Sequence, residues 1–521
     1  MQANLENFTG DFMRTCTDPA SATSLPNGTV ATSATRPNFP IKPGKLFING
    51  EWRDASSGKT FDVIDPTTEE VVAQIAEGTK EDTEAAIAAA RISFERGSWG
   101  QMSGHERGEI LWRVGDLFHK YGEELAFLQA KEMGRLFTDS MAIDIPHLAN
   151  VFHYFAGWAS KIEGSVKQTT KGLHTYTLRE PLGVIAAITP FNFPLILSVH
   201  KFAPALAAGN TIVHKPASST PLSAIKVAEI MQEAGVPDGV FNLVPGPGST
   251  VGHTLSTHPD VHKVAITGST ASGIRVIKDS ADTLKHLTME LGGKSANIIF
   301  ADADLDAAAE TAYYGMFYNK GEICYAGSRM LIERSVYNEV LERVVEWAKR
   351  TKVGEPLDPD SQMGPIANQS EYNNVLRYMD IGKQDGARLV AGGKAVDIGT
   401  GKGYFVEPTV FADVNSDMTI AREETFGPIL SVIPFDDFED AIRIANNNQY
   451  GLVSGVHTLD IKKAHRAATR LKAGTVWVNT WGHFDPSSPF GGYKMSGYGR
   501  ENGWEALEFY LQTKTVWVDL S

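Results

Sequence analysis

The stretch GVIAAITPFNFPLILSVHKFAPALAAGNTIVHK, residues 183–215, decides the fold. GVIAAIT is a short β-rich run, FPLILSVHKFAPALAAG has helical spacing and stops at Gly209, and TIVHK is the next strand. Strand, helix, strand at this rhythm is a βαβ unit, which needs a parallel sheet. The rhythm continues downstream. Ser218-Ser219-Thr220-Pro221 offers caps and an early proline to the helix SAIKVAEIMQEAG. FNLVPG, a short helix, KVAITGS and another helix follow. A second set opens near residue 295 with SANIIF, the helix DLDAAAETAYYGMFYNKG, RMLIE and EVLERVVEWAKR. Upstream, LFINGEW alternates into Gly50 as a hairpin, and residues 81–97 and 105–137 carry helical spacing. The late run TKTVWVDL alternates far from both sets and is expected to pair outside its own domain. The expected fold class is therefore α/β with more than one domain.

The composition agrees. At 521 residues the chain exceeds one core, and roughly 100–200 residues per domain gives two to four units. Hydrophobic residues make up 42% and charged residues 21%, the balance of a soluble globular protein. With 48 Lys and Arg against 62 Asp and Glu, the formal charge is −14, which argues against nucleic acid and anionic membrane as partners. No apolar run approaches the ~20 residues that span a bilayer, and the start lacks the basic and apolar regions of a secretory signal. Only Cys16 and Cys324 are present, so a cytoplasmic, reducing compartment is expected. Residues 1–43, rich in Ser, Thr, Ala, Asn and Pro, read as a disordered tail, where the sequons at Asn7 and Asn27 are accidental.

Three residues stand where chemistry could occur. Cys324, in YNKGEICYAGSR, is a nucleophile or a buried apolar cysteine; Gly321, Ala326 and Gly327 around it leave room for a small ligand. Glu290 ends the strand HLTMEL ahead of two glycines, and strand ends are where α/β proteins bind ligands. There it is a general base or an ordinary ion-paired glutamate. Asn192 follows the strand GVIAAIT, either as an oxyanion donor or as a turn residue. VPGPGSTVG and ITGSTASG lead from strands into helices and suit a pyrophosphate, although neither matches G-x-G-x-x-G. No metal-ligand pattern is present.

The ordered set TPFNFP, HKPAS, TGSTASG, MELGGKS, FYNKGEICYAGSR, EETFGP and SPFGGYKMSGYGRENG resembles the aldehyde dehydrogenase superfamily over about residues 45–521. The resemblance implies a Rossmann-like cofactor domain (44–158 and 182–290), a second α/β catalytic domain (291–502) and a small β oligomerisation arm (159–181 and 503–521), assembled as a homodimer or homotetramer. It implies that Cys324 attacks the aldehyde carbon, that Asn192 and the backbone N–H of Cys324 hold the oxyanion, and that Glu290 activates the water that hydrolyses the thioester. It implies NADP and/or NAD as cofactor. Lys215 and Ser218 fall at the adenosine ribose, Ser269 at the pyrophosphate, and Glu423 and Phe426 at the nicotinamide ribose and ring; Thr189, Phe191, Gly248, Gly268 and Leu291 complete the set.

Matched tunnel segments give Phe193, Leu197, His200, Tyr318 and Ile323, then Trp481, Phe484 and Phe490, with His147 near the mouth. Aromatic walls favour an aromatic or medium-chain apolar aldehyde. His200 stands where semialdehyde dehydrogenases carry Arg, and Ser218 stands where Glu is frequent, which favours NADP. Phe191 replaces a frequent Trp. Glu322 replaces a frequent Gln and is expected to point to solvent. The alternatives are a CoA-acylating aldehyde dehydrogenase, a catalytically silent binding relative, or a cofactor-free hydrolase. Glu290 argues against the first, the three retained residues against the second, and the glycine turns against the third.

Overall fold

The structure, a computed structural model, describes residues 37–521. Residues 1–36 of the expected tail lie outside the described residues, with Cys16 and both sequons. The tail does not extend to residue 43, because the Phe39 ring packs on Phe127 with centroids 5.7 Å apart.

The first sheet is built around five parallel strands. In chain order these are Val184–Ile188, Thr211–Lys215, Phe241–Leu243, Lys263–Thr267 and His286–Glu290, and in space they lie 3-2-1-4-5. The hairpin Leu46–Ile48 with Glu51–Arg53 closes one edge antiparallel, and Gly497–Tyr498 closes the other. Alternation sends neighbours to opposite faces. Ile185 and Ala187 join a core with Leu111, Phe152 and Phe202, from the helices Gly104–Lys120, Ile145–Trp158 and Pro194–Ala207. Val184 and Ala186 join another with Ile87 and Ala90 of the helix Lys80–Arg96. Coverage on both faces explains why these strands read as continuous apolar runs.

The local chemistry explains most helix limits. Thr79 with Asp82, and Ser103 with Glu106, form reciprocal capping boxes. The helical span expected over 105–137 is broken at Tyr121, whose non-helical backbone places its hydroxyl on Glu233 at 2.6 Å; a new helix, Gly122–Met133, follows. The Ser-Ser-Thr run does not cap the helix Leu222–Glu233. Glu132, buried and distant in sequence, accepts from Leu222 N at 2.7 Å and Ser223 N at 3.3 Å instead.

The second sheet has seven strands, in the order Arg388–Ala391, Thr409–Ala412, Ile429–Phe435, Arg329–Glu333, Ala296–Ile299, Val453–His457 and Thr475–Val478, all parallel except the first. A third, antiparallel sheet pairs Leu511–Asp519 along the whole of Leu173–Pro181, with Val166–Lys167 beyond it. TKTVWVDL thus does leave the main sheets. Two expected boundaries shift. Gly497–Tyr498, assigned by sequence to the second domain, belongs to the first sheet. The helix Gly503–Glu508, assigned to the arm, buries Ala506 and Leu507 in the first core, with Trp504 on Trp158 at 4.9 Å.

Candidate active site

In an open parallel sheet, ligands lie beyond the strand ends where the winding reverses. Here that point falls between Val184–Ile188 and Lys263–Thr267. The segments leaving these ends are Thr189–Asn192 and Gly268–Ser269, both singled out in the sequence. The Gly268 N–H donates to Glu290 O at 3.1 Å and ties the next strand end to the same place.

Cys324 comes from the second sheet's side. The helix Leu305–Phe317 ends in a loop where Asn319, Lys320 and Gly321 take φ of 45°, 52° and 69° in succession. Gly321 is required there, since a Cβ would meet the Gly427 carbonyl carbon at 2.5 Å. Asn192 Nδ2 donates to Glu322 O at 2.9 Å, and Asn319 Nδ2 donates to Asn192 O at 3.0 Å. Asn192 is therefore not a free turn residue. It is buried and locked to the loop of the thiol, with a second amide hydrogen to spare. Gly293 packs on the Cys324 carbonyl and Gly292 on the Glu424 carboxylate, so the two glycines after Glu290 thread between the thiol's loop and EETFGP.

The electrostatics are carboxylate-rich. Glu290 is 3% exposed, and neither oxygen has a hydrogen-bond partner. Burial, then the neighbouring Glu501, hold its pKa well above the carboxylate range, against Lys201 and Arg500. Burial, then Glu424, Glu290 and Glu501, push the Cys324 thiol up as well. Glu501 is held on the other side of the balance. Burial opposes its ionisation, but Lys201 and His200 outweigh this and bring it to about 2. Lys201 pairs with Glu501 and donates to Thr267 Oγ1 at 2.6 Å. Glu501 was missed in the sequence, where it sits in GYGRENG, 300 positions from Lys201.

Several expectations change. Glu423 is exposed and accepts from Tyr378 Oη at 2.8 Å; its neighbour Glu424 turns inward, accepts from Gly293 N at 2.8 Å, and is brought to about 7 by burial. Glu322 does not point to solvent. It is fully buried, accepts from Ala367 N at 3.1 Å and pairs with Lys320 at 3.4 Å. Phe426, at φ 46°, meets Phe191 edge-on at 5.7 Å.

The residues predicted for a tunnel fall into three groups. Phe484 and Phe490 cluster with Cys324 and with Tyr325 and Trp477, two aromatics the sequence reading omitted. Trp481 belongs to the same cluster and wedges against Gly315, Gly327 and Gly455. Phe193 stacks on Tyr318 at 6.2 Å beneath the Arg135 guanidinium, and Leu197 and Ile323 join the same core. His200 is buried, with one nitrogen 3.4 Å from Glu501 and the other 2.8 Å from His147.

The groups expected around a dinucleotide are compatible with one. Lys215 is buried, and among the described residues its Nζ hydrogen-bonds only the Pro216 carbonyl, at 2.8 Å. A Cβ on Gly248 would meet nothing, so the turn beside it has open space. Ser218 donates to Gly246 O at 3.3 Å, and Ser269 caps its own helix through Ser272 N at 3.2 Å. Thr189 Oγ1 bonds His214 at 2.9 Å, and Leu291 covers Gly273. Among the described residues no cluster suits a metal ion, and no helix is long and apolar enough to cross a membrane.

Crevice and thiol together mark the class, an α/β oxidoreductase. The model of the aldehyde dehydrogenase family matches residues 52–516. Aldehyde dehydrogenase family 2 member C4 of Arabidopsis thaliana is 48% identical over 482 residues, covering 92% of this chain and 96% of its own. An aldehyde dehydrogenase of Bacillus cereus, solved in complex with NAD+, superposes with a TM-score of 0.90 at 45% identity over 92% of this chain and 96% of its own. The indole-3-acetaldehyde dehydrogenase of P. syringae, a cysteine-to-alanine mutant holding NAD+ and IAA, gives 0.91 at 42% over 93% and 98%. The chain belongs to the aldehyde dehydrogenase family, and it is an oxidoreductase acting on the aldehyde group.

Proposed function

We propose that the chain oxidises an aromatic or medium-chain apolar aldehyde to the carboxylic acid through a thioester on Cys324, using NADP or NAD. The observation that carries this reading is the attachment of Asn192 to the loop of the thiol, together with the buried, unpartnered Glu290. As the thiolate, Cys324 Sγ adds to the carbonyl carbon, and the oxygen takes the negative charge. The spare Asn192 N–H and the Cys324 backbone N–H hold it, each such donor being worth about 10²–10³ in rate. When bound, the nicotinamide supplies the hydride acceptor and a positive charge beside the thiol. Lys215 and Ser218 would hold the adenosine ribose, Gly248, Gly268 and Ser269 the pyrophosphate, and Phe426 with Glu424 the nicotinamide end. Glu290 then takes a proton from water as the oxygen attacks the thioester carbon, and the C–S bond breaks with its electron pair on sulfur.

Glu290→Gln should leave formation of the acyl-enzyme intact and slow its hydrolysis about 10²–10⁴-fold, so that the thioester accumulates in mass spectra. Unimpaired steady-state turnover would remove Glu290 from the mechanism.

The substrate class rests on Tyr325, Trp477, Phe484 and Phe490 around the thiol. A ring buried there gains about 1.5–3 kcal/mol. The P. syringae relative named for indole-3-acetaldehyde is in keeping with this. Both His200 nitrogens face protein groups, so a substrate hydroxyl would be bound through His147 alone. In a panel run with both cofactors, aromatic aldehydes should give the highest kcat/KM, ahead of succinate semialdehyde and betaine aldehyde. NADP should be used well, because Ser218 presents no charge to a 2′-phosphate and Lys215 lies near. Ser218→Glu should move the ratio toward NAD; strict NAD use by the parent would refute the cofactor assignment. We further propose a homo-oligomer formed through the small antiparallel sheet.

A further inference from the structure

The surroundings of Cys324 are not uniformly apolar. Tyr325, Phe484 and Phe490 pack with the thiol. Next in the chain to Phe484 is Asp485, which is exposed and within electrostatic reach of His147. His147 stands in the first turn of the helix Ile145–Trp158, directly after a π-helical turn, Ser140–Asp144. Such turns are rare and recur at functional sites. His147 Nε2 is 2.8 Å from His200 Nε2, and the rings meet edge-on at 5.1 Å. One imidazole donates in that bond and the other accepts, which leaves His147 Nδ1 for a different partner. Among the described residues Nδ1 has none. His200 is buried and His147 partly exposed, so His147 is the ring that an incoming molecule meets. Aliphatic side chains would fill the same space without burying polar atoms.

We propose that His147, held by His200, anchors a hydroxyl on the ring of an aromatic aldehyde, so that hydroxylated aromatic aldehydes are the substrates this site takes best. The inference rests on the reading of the aromatic wall around the thiol as a substrate site. That wall supplies apolar contact to any ring and does not by itself tell a phenol from a benzene. His147 does. A hydroxyl both donates and accepts, so it satisfies Nδ1 in either tautomer of the histidine pair. A ring without one covers Nδ1 and leaves it unpaired, which weakens binding. Burial, then His200, hold His147 at about 3 against the pull of Asp485, so the imidazole is neutral at pH 7 and offers a substrate carboxylate no charge. Asp485 is held below the usual carboxylate range by the hydroxyl and backbone N–H of Ser487, and its negative charge repels such a substrate further.

The test compares matched aldehydes on the full chain with saturating cofactor, followed by cofactor reduction. Phenylacetaldehyde and 3-phenylpropanal are each assayed with and without a ring hydroxyl at the meta or para position. The methylene carbons insulate the carbonyl from the electronic effect of the hydroxyl, so a difference reports binding. For the best-placed isomer the parent should show a kcat/KM about tenfold above that of the unsubstituted aldehyde, carried mostly in KM. His147→Leu should bring this ratio to about one, and His147→Gln, which keeps a donor and an acceptor, should retain part of it. A parent ratio of one or less for every isomer, or a ratio that survives in His147→Leu, overturns the anchor. So does a ratio lost in Tyr325→Phe and kept in His147→Leu, which would move the hydroxyl to Tyr325. Hexanal, run alongside, keeps the two readings apart. If it outperforms every aromatic aldehyde, the aromatic wall is not the substrate site and the anchor falls with it. If the aromatic aldehydes lead and the hydroxyl adds nothing, the anchor alone falls.

Discussion

Glu290 illustrates how much of the chemistry lives in single side chains. Its carboxylate must be ionised to take a proton from water, and burial first, then Glu501, hold its pKa high. Deacylation should therefore rise with pH along a limb above the usual carboxylate value of about 4.3, a limb that belongs to the Glu290–Glu501 pair. Glu501→Gln removes a like charge and frees Lys201 to act on Glu290. Both changes favour ionisation, so the limb should move to lower pH while kcat falls; a limb that stays put or climbs would show that Glu501 does not govern Glu290. Legibility at this scale follows the backbone. Asn192 and Glu290 close strands whose apolar runs are plain in the sequence, and Cys324 is the only cysteine beyond residue 16. EETFGP offers two adjacent carboxylates in a segment without a period, and Phe426 turns through φ 46°, so the inward choice of Glu424 could not be read. Glu501 acquires meaning only through Lys201, far away in sequence.

At the scale of the element, the loop ahead of Cys324 is tightly constrained. Two non-glycine residues, Asn319 and Lys320, hold left-handed backbone, each at a cost of about 1–2 kcal/mol. The side chains offset this by clamping the loop. Lys320 reaches the Met133 carbonyl at 2.8 Å and pairs with Glu322, which in turn holds Ala367 N. Removing one member leaves the other charge buried without a partner. Lys320→Gln should therefore cost about 3–5 kcal/mol, whereas Lys320→Gln with Glu322→Gln should recover much of the loss. Denaturant midpoints for the two singles and the double decide it, and simple additivity would mean that the pair does not act as a unit. Helix identities and most strands were legible from period and caps. The break at Tyr121 and the cap supplied by Glu132 were not, because each depends on a partner brought in by tertiary packing.

Over the whole molecule, the small third sheet is the part least able to stand alone. Its outer strand, Leu511–Asp519, is an edge, and Trp517, Leu520 and Val166 are 58%, 67% and 70% exposed. Open edges and exposed apolar residues invite a second chain. Trp517→Glu should shift the proposed oligomer to smaller species in light scattering and leave the secondary structure unchanged; an unaltered mass would place the interface elsewhere. The third sheet itself was legible as an alternating run with no nearby partner. The return of Gly497–Tyr498 to the first sheet was not, since two residues carry no pattern. That return also bears on biosynthesis. The strand ending in Glu290 is flanked on one side only until residues 497–498 arrive, Lys201 waits for Glu501, and Leu173–Pro181 waits for Leu511–Asp519. A nascent chain can assemble its first five parallel strands early, yet the edge beside Glu290, the partner of Lys201 and the third sheet are completed only once residues 497–519 are made, so catalytic competence should switch on late and all at once.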